Sequence, residues 1–388
     1  MTEPSQTLPL RARVAALPRP AWALFAGTFI NRFGSFVLVF LVLYLTRKGY
    51  SPAQAGLAAS VYGLGHVLAS LFGGHLADYL GRRRTIALSM FSAAAALLAL
   101  SQVSALPLII ILTGFVGLTA ELYRPAAAAL LADLTPAGQR VTAFALYRMA
   151  INLGVAAGPA VAGFLAERSF TLLFVGDAIT SAAYGAIALI ALPEGTRVRS
   201  AEERAAGAMR AILADRRFLR LILATTAIAL VIFQGYSTVP LHIDALGYSS
   251  RVYGALMSLN GVLIVCFELA LTSFTHRAPA PRVIAAGYLL TGIGFALTGV
   301  ALSLPMLAFS VVIWTLGEML CSPVSAAHVA DIAPQHMRGR YQAAFGLTFS
   351  IGTILAPMLG TLLFSWSSTS LWIACAALGV ASALLVRR

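Results

Sequence analysis

Charged residues are scarce in this sequence: they make up 11% of its 388 residues, against roughly a quarter in an average soluble domain. Hydrophobic residues make up 59%. A chain with so few charges cannot cover a water-facing surface, and this excludes an ordinary soluble protein. Since a membrane-spanning helix needs about 20 apolar residues, the length allows about a dozen spans. The composition therefore predicts an integral protein of the lipid bilayer.

The sequence also has little of what most enzymes and metalloproteins use. Its three cysteines, Cys266, Cys321 and Cys375, lie in apolar stretches without the spacing of a disulfide framework or a metal site. The sequence contains no phosphate-binding loop, metal-ligand cluster or nucleophile–base motif. Its 27 basic and 14 acidic residues give a net charge of +13, but the basic residues follow the apolar segments instead of forming a nucleic-acid-binding patch. We therefore expect no enzyme activity, cofactor, metal or nucleic-acid partner.

Long apolar segments, separated by short polar connections, dominate the chain. They predict twelve transmembrane helices, numbered here as spans 1 to 12, in an all-α membrane protein. The segments run approximately over residues 20–46, 53–78, 84–103, 107–132, 138–165, 170–192, 218–244, 251–275, 282–302, 305–331, 337–364 and 368–386.

Basic residues mark every second connection. Residues 1–20, the loop with Arg82, Arg83 and Arg84, and the segment 197–220 are all rich in arginine. Since Lys and Arg concentrate on the cytoplasmic side of membrane proteins, both termini are predicted to be cytoplasmic, in the inner (plasma) membrane of a bacterium-like cell. The polar, basic start of the chain also predicts that it is not a cleaved signal peptide.

The sequence repeats itself at an offset of 198 residues. Ala132-Asp133-Leu134-Thr135-Pro136 matches Ala330-Asp331-Ile332-Ala333-Pro334, and Gly49-Tyr50-Ser51 matches Gly247-Tyr248-Ser249. A single ungapped offset over so much of the chain indicates two parallel halves of six spans each. We predict an N-terminal six-helix bundle over residues 1–192, a cytoplasmic linker with an amphipathic helix over 193–217, and a C-terminal six-helix bundle over 218–388.

The loop between spans 2 and 3 has a distinctive pattern. It contains Gly74, Asp78 and Gly81, followed by three consecutive arginines. This pattern resembles the signature loop of the major facilitator superfamily of transporters, although Tyr79 stands where that family usually has a basic residue. The resemblance implies that Asp78, with Asp133 at the end of span 4 and Arg140 at the start of span 5, holds the cytoplasmic ends of spans 2 and 11 together when the transporter is open to the outside. The predicted gating motif is Gly74, Asp78, Gly81, Arg82, Arg83, Asp133 and Arg140.

Span 5 contains a second, partial motif. Gly154, Gly158, Pro159 and Gly163 resemble the end of the motif found in drug/proton antiporters of the same superfamily. The resemblance implies tight packing of these glycines against span 8 and a bend at the proline. The match is incomplete, because Ala145 and Ala162 replace two glycines of the pattern and Thr113 stands where many drug antiporters have an arginine.

Charged and polar residues inside the spans are the candidates for transport, because a charge in the bilayer core is costly. Glu121 and Arg124 lie three residues apart on one face of span 4, and Arg148 is a further basic neighbour predicted for Glu121. Glu318 in span 10 has no basic residue within a turn, which suits reversible protonation. Asp177 and Glu268 lie nearer to the span ends and are expected to be hydrated. The predicted proton-coupling residues are Glu318, Glu121, His66 and Glu268, and the predicted substrate-binding residues are Asn31, Arg32, Phe36, Tyr123, Arg124, Tyr147, Arg148, Gln234, Tyr236 and Trp314.

These patterns together predict a monomeric, proton-coupled secondary transporter. It would export amphipathic or cationic small molecules by alternating access, in which protonation and substrate each favour a different state. Within the superfamily the alternatives are a proton-coupled importer of peptides or other nutrients, faintly suggested by Asn31-Arg32-Phe33, and a lipid or glycolipid flippase. The alternative from another class is a non-transporting membrane receptor or scaffold.

Overall fold

The computed structural model describes residues 14–136, 139–194, 215–275 and 278–387. In these ranges the chain is helical, with one short 3₁₀ helix at Gln335–Met337 and no β-strand. Twelve of the helical segments are long and apolar enough to cross a membrane, which confirms the predicted spans to within a few residues at most ends. They are Arg19–Arg47, Pro52–Leu80, Arg82–Gln102, Leu106–Leu134, Arg140–Arg168, Phe170–Ala191, Arg216–Ser237, Ser250–Thr275, Ala280–Val300, Leu304–Ile332, Arg338–Trp366 and Ser368–Arg387. Most of the predicted linker, 195–214, and residues 1–13 lie outside the described residues.

Three of the spans are interrupted, although each was predicted as one continuous helix. Span 1 consists of helices Arg19–Phe33 and Phe36–Arg47, span 4 of Leu106–Glu121 and Tyr123–Leu134, and span 7 of Arg216–Ile232 and Gln234–Ser237, followed by Val239–Ala245. The interruption in span 1 falls at Gly34, where a β-carbon would overlap the side chain of Thr180 in span 6. Span 6 therefore reaches the backbone of span 1 at the point where its helical hydrogen bonding stops.

Asp177 satisfies the backbone at this interruption. The N–H of Val37 donates to the Asp177 carboxylate over 3.2 Å, so a side chain of span 6 caps the second helix of span 1. An unpaired N–H is costly in an apolar environment, and a carboxylate at a helix N-terminus also meets a favourable dipole. The expectation that Asp177 is hydrated is wrong, because the residue is only 7% exposed and is committed to this cap.

The sequence repeat is also a repeat of backbone geometry. Gly49 and Gly247 end helices in corresponding loops and have φ angles of +98° and +81°. In each copy the tyrosine that follows, Tyr50 or Tyr248, donates its N–H to the carbonyl five residues earlier, over 3.1 and 3.2 Å. Glycine adopts this left-handed conformation without steric cost, which explains why it ends the helix in both copies.

The pairing of spans follows the same repeat. In the first half span 1 packs on spans 5 and 6, and span 3 packs on spans 4 and 6. In the second half span 7 packs on spans 11 and 12, and span 9 packs on spans 10 and 12. Shifting each number by six converts the first set into the second.

Glycines make the closest of these contacts possible. A β-carbon on Gly158 would lie 2.5 Å from the carbonyl oxygen of Phe33, and one on Gly154 would lie 2.7 Å from the β-carbon of Arg32. The structure therefore places span 1 against Gly154 and Gly158 of the span 5 motif, and the packing on span 8 that the resemblance implies stays a prediction. Pro159 lies inside the same continuous helix, and Gly163 is buried in it.

The chain divides by its contacts into two compact units. Among the described residues, the first unit contains 14–37 and 64–194, and the second contains 38–63 and 215–387. The end of span 1 and the start of span 2 thus pack with the second half of the sequence. For example, the Tyr253 hydroxyl donates to the carbonyl of Val39 over 3.0 Å. The domain boundaries at 192 and 218 stay a prediction.

Candidate functional site

A charged cluster surrounds Glu121 in the first unit. Glu121 is the last residue before the interruption of span 4, and its side chain is 5% exposed. Arg32 binds both of its carboxylate oxygens, over 2.8 and 3.0 Å. Arg124 donates to one of them over 3.2 Å, and Nε2 of His66 lies 3.8 Å away from the same oxygen. A carboxylate held by two guanidinium groups is strongly favoured in its ionised form.

The interrupted helices bring this cluster together from three spans. Arg32 lies near the end of the first helix of span 1, His66 lies in span 2, and Glu121 lies at the end of the first helix of span 4. Arg124 is a neighbour of Glu121, as predicted. The prediction that Arg148 pairs with Glu121 is wrong: Arg148 is exposed, and the main partner is Arg32.

The other predicted substrate residues of the first unit are mostly buried around this cluster. The Arg32 guanidinium carbon lies 5.6 Å from the ring centre of Tyr123, and Tyr147 is 8% exposed. Asn31 donates to the hydroxyl of Ser181 over 3.4 Å, and Phe36 packs edge-on against Phe33. The side chain of Arg124 is 49% exposed, so it is the member of the cluster that an incoming molecule reaches most easily.

Glu318 in the second unit has different surroundings. Asn260 of span 8 donates to the Glu318 carboxylate over 3.2 Å and to the hydroxyl of Thr315 over 3.0 Å. Glu268 and Tyr236 are close enough to interact electrostatically with Glu318. In the described part of the chain no Lys, Arg or His nitrogen lies within 4.0 Å of this carboxylate. Its neighbours are therefore an amide, hydroxyl groups and a second acid.

Gln234 and Trp314 contact other residues of the second unit through hydrogen bonds and ring packing, respectively. The Gln234 amide donates to the carbonyls of Leu230 and Ala356 over 3.0 and 3.1 Å, next to the interruption of span 7. Trp314 is 4% exposed and lies 5.1 Å from the ring centre of Phe295. Tyr236 is half-buried. Substrate binding by these three residues stays a prediction.

The signature loop forms an ion-pair network at the end of the first unit. Gly81 has a φ of +91° and turns the chain into span 3. Arg82 pairs with Asp133, donates to the carbonyl of Ala129 over 2.9 Å, and is close enough to Asp78 for charge attraction. Arg140 donates to the carbonyl of Thr135 over 3.4 Å.

Glu194, which was not among the predicted site residues, completes this network. Arg83 and Arg84 bind its carboxylate over 3.0 and 3.2 Å. The topology contained the signal, because span 6 ends on the membrane face where the loop between spans 2 and 3 lies. The close approach at this end of span 2 is made by Gly73: a β-carbon on Gly73 would lie 2.8 Å from the carbonyl of Leu122, whereas one on Gly74 would meet no atom within 4 Å.

Comparison with known proteins shows which family this chain resembles. The chain matches the family model of the Major Facilitator Superfamily over residues 24–347 and 239–388. Curated relatives include the uncharacterized MFS-type transporter YqjV of Bacillus subtilis (strain 168), 26% identical over 349 residues that cover 88% of this chain and 85% of YqjV. The Na(+), Li(+), K(+)/H(+) antiporter of Planococcus maritimus is 26% identical over 366 residues, covering 85% and 86%. The quinolone resistance protein NorA of Staphylococcus aureus is 30% identical over 140 residues, 36% of each chain.

Solved structures share the fold at lower identity. The crystal structure of the nucleoside transporter NupG superposes with a TM-score of 0.82 and 14% identity, covering 95% of this chain and 98% of that one. A POT family transporter in complex with a thioalcohol-conjugated peptide superposes with a TM-score of 0.79 and 17% identity, covering 97% and 98%.

Twelve spans in two repeated halves, with ionisable groups buried among them, define a polytopic membrane transporter. The match of the family model over most of the chain is more specific, and this protein belongs to the major facilitator superfamily. It is a multi-pass membrane transporter and not an enzyme.

Proposed function

We propose that this protein is a proton-coupled antiporter that exports amphipathic small molecules, including cationic ones, by alternating access. It would act as a monomer in the inner membrane, with both termini in the cytoplasm. The observation that carries the proposal is the contrast between two carboxylates inside the spans. Glu121 is shared by two arginines and a histidine, whereas the polar neighbours of Glu318 in the described part of the chain are neutral or acidic.

This contrast gives the two acids different roles in transport. Protonating Glu121 would leave Arg32 and Arg124 facing each other without a counter-ion, so Glu121 keeps its charge and holds the cluster together. Among the described residues Glu318 has no cation that stabilises its charge, so proton binding there breaks no ion pair. Glu318 is therefore the carboxylate that exchanges a proton during the transport cycle.

The cluster also suggests what a substrate presents. One carboxylate among two guanidinium groups leaves net positive charge, and the half-exposed Arg124 is its most accessible part. An acidic group on the substrate would bind there, since guanidinium recognises carboxylates through paired hydrogen bonds. Zwitterionic amphiphiles, among them the quinolones to which the name of the relative NorA refers, combine such a group with a cationic one.

The test uses purified protein in liposomes with an imposed pH gradient. The panel contains a quinolone, Na⁺, Li⁺ and K⁺ after the named relatives, and a dipeptide and a nucleoside after the named structures. We expect quinolone movement coupled to proton counterflow. Glu318→Gln should abolish gradient-driven transport and leave substrate exchange measurable, whereas Glu121→Gln should first impair folding or binding. Glu167→Gln, the same change at an exposed position, serves as the matched control.

The same assay separates the alternatives. Uptake of the dipeptide or nucleoside with protons would indicate an importer, and redistribution of a labelled lipid between leaflets would indicate a flippase. Absence of flux for every compound, with intact folding, would favour a receptor or scaffold. Gradient-driven transport by Glu318→Gln with unchanged pH dependence would refute the assignment of the proton to Glu318.

A further inference from the structure

A small basic cavity lies at one end of the second unit, away from Glu318. Its volume is about 110 Å³, room for three or four water molecules at about 30 Å³ each. It is lined by Arg217, Arg220, Leu221, Pro281, His328, Leu385, Val386 and Arg387. The lining comes from the starts of spans 7 and 9 and the ends of spans 10 and 12. All four ends lie on the same membrane face, because odd-numbered spans begin where even-numbered spans end.

Three arginines converge on this cavity, Arg220 half-buried and Arg217 and Arg387 exposed, and their mutual repulsion favours an anion between them. The neighbouring acids in the described ranges are engaged elsewhere or exposed. Among the described residues, no acid forms a salt bridge with Arg217, Arg220 or Arg387. The Asp215 carboxylate accepts hydrogen bonds from the backbone N–H groups of Arg217 and Phe218 and from the Tyr341 hydroxyl. Asp331, the acid that acts on His328 from the same span, is exposed.

Half of the lining residues are apolar, and in spans 7 and 12 these lie deeper than the neighbouring arginine. Leu221 follows Arg217 and Arg220 into span 7, and Leu385 and Val386 precede Arg387 in span 12. The apolar residues are therefore the deeper ones in both spans. A free anion would gain nothing from them, whereas a phospholipid would place its phosphate at the arginines and its glycerol and first methylenes against the apolar side chains.

We propose that this cavity binds the phosphate of an anionic phospholipid. The charge distribution of the sequence assigns this membrane face to the cytoplasm, where the leaflet carries anionic lipid and attracts basic groups. Arg217, Arg220 and Arg387 hold the phosphate through charge-assisted hydrogen bonds, and His328 lines the cavity beside them. The binding itself does not depend on transport.

The experiment measures lipid binding to delipidated protein by native mass spectrometry, with phosphatidylglycerol, phosphatidylcholine and inorganic phosphate as separate probes. The test variant combines R217Q, R220Q and R387Q. The matched control combines R216Q, R282Q and R338Q, which removes the same charge from exposed arginines at span starts on the same face without touching the cavity. We expect wild type and control to bind phosphatidylglycerol in preference to phosphatidylcholine, and the test variant to lose roughly tenfold or more in affinity for it.

Three results would overturn the proposal. The first is that the test variant binds phosphatidylglycerol as tightly as wild type does. The second is that both triple variants lose phosphatidylglycerol binding equally, which would indicate that only general surface charge matters. The third is that inorganic phosphate displaces the lipid and that its binding also requires the three arginines, which would identify a free anion as the occupant. If the triple variant does not fold, R220Q and R387Q are measured singly, and unchanged phosphatidylglycerol affinity in both refutes the site.

Discussion

Removing the charge of Glu121 should lower the free energy of unfolding by an amount that follows from its contacts in the structure. Its carboxylate forms a paired contact with Arg32, and the two side chains are 5% and 13% exposed. Breaking a buried ion pair by removing one partner typically costs about 3–5 kcal/mol, because the remaining charge is left buried without compensation. The amide introduced by Glu121→Gln keeps one acceptor for Arg32, so we expect a cost of about 3 kcal/mol, at the lower end of that range.

A double-mutant cycle separates the pair from its surroundings. Arg32→Gln alone should lower the free energy of unfolding less than Glu121→Gln does, because Arg124 and His66 still accompany the carboxylate. The double variant should cost clearly less than the sum of the two, with a coupling of about 1.5 kcal/mol or more. Reversible unfolding in mixed detergent micelles with increasing sodium dodecyl sulfate measures each free energy.

The same protein contains the matched control. Arg47 and Asp244 form an ion pair at 2.6 Å within the second unit, but their side chains are 36% and 37% exposed. Such a pair typically contributes about 0.2–1 kcal/mol. An additive result for Arg32 and Glu121, or a coupling no larger than that of the exposed pair, would refute the idea that this cluster is a buried, mutually dependent unit.

Three further predictions follow from contacts described above. Gly158→Val should destabilise the first unit by about 1–3 kcal/mol in the same unfolding assay, because its β-carbon would overlap a carbonyl of span 1, whereas Gly74→Val should cost far less in packing. Asp177→Leu should cost about 1–3 kcal/mol by leaving the Val37 N–H unsatisfied, and Asp177→Asn should cost less because it keeps an acceptor; equal costs would argue against the cap. Ser200→Cys in a cysteine-free background should react with an impermeant thiol reagent only in inverted vesicles, and labelling of intact cells would overturn the predicted topology.

The span boundaries and the repeat were predictable because they depend on local composition and on register along one chain. Arg124 was also predictable as a neighbour of Glu121, since residues three apart share a helix face. The pairing of Arg32 with Glu121 was not. It joins two residues that lie 89 positions apart in different spans, and each residue along a helix turns the side chain by about 100°. Neither the depth nor the rotation of one span relative to another can be read from its own sequence.

The interruption of span 1 was missed for a related reason. Gly34-Ser35 is an ordinary pair in an apolar segment, and glycine is common in membrane helices. The helix stops there because Thr180 and Asp177 of span 6 reach its backbone. In the sequence Asp177 is only a charge near a span end, and nothing there connects this acceptor with the interruption that it makes possible.

The order of synthesis gives the Arg32–Glu121 pair a further consequence. Arg32 is made 89 residues before its partner, which at about 5–20 residues per second is a delay of roughly 4 to 18 s. During that time span 1 must enter the bilayer with an uncompensated arginine, at a cost of about 2.5–3.5 kcal/mol near its centre. The ten residues Phe36–Leu45 that follow are all apolar or aromatic. Their hydrophobicity retains span 1 in the membrane until span 4 emerges, so substitutions there should reduce the yield of inserted protein even where the finished fold tolerates them.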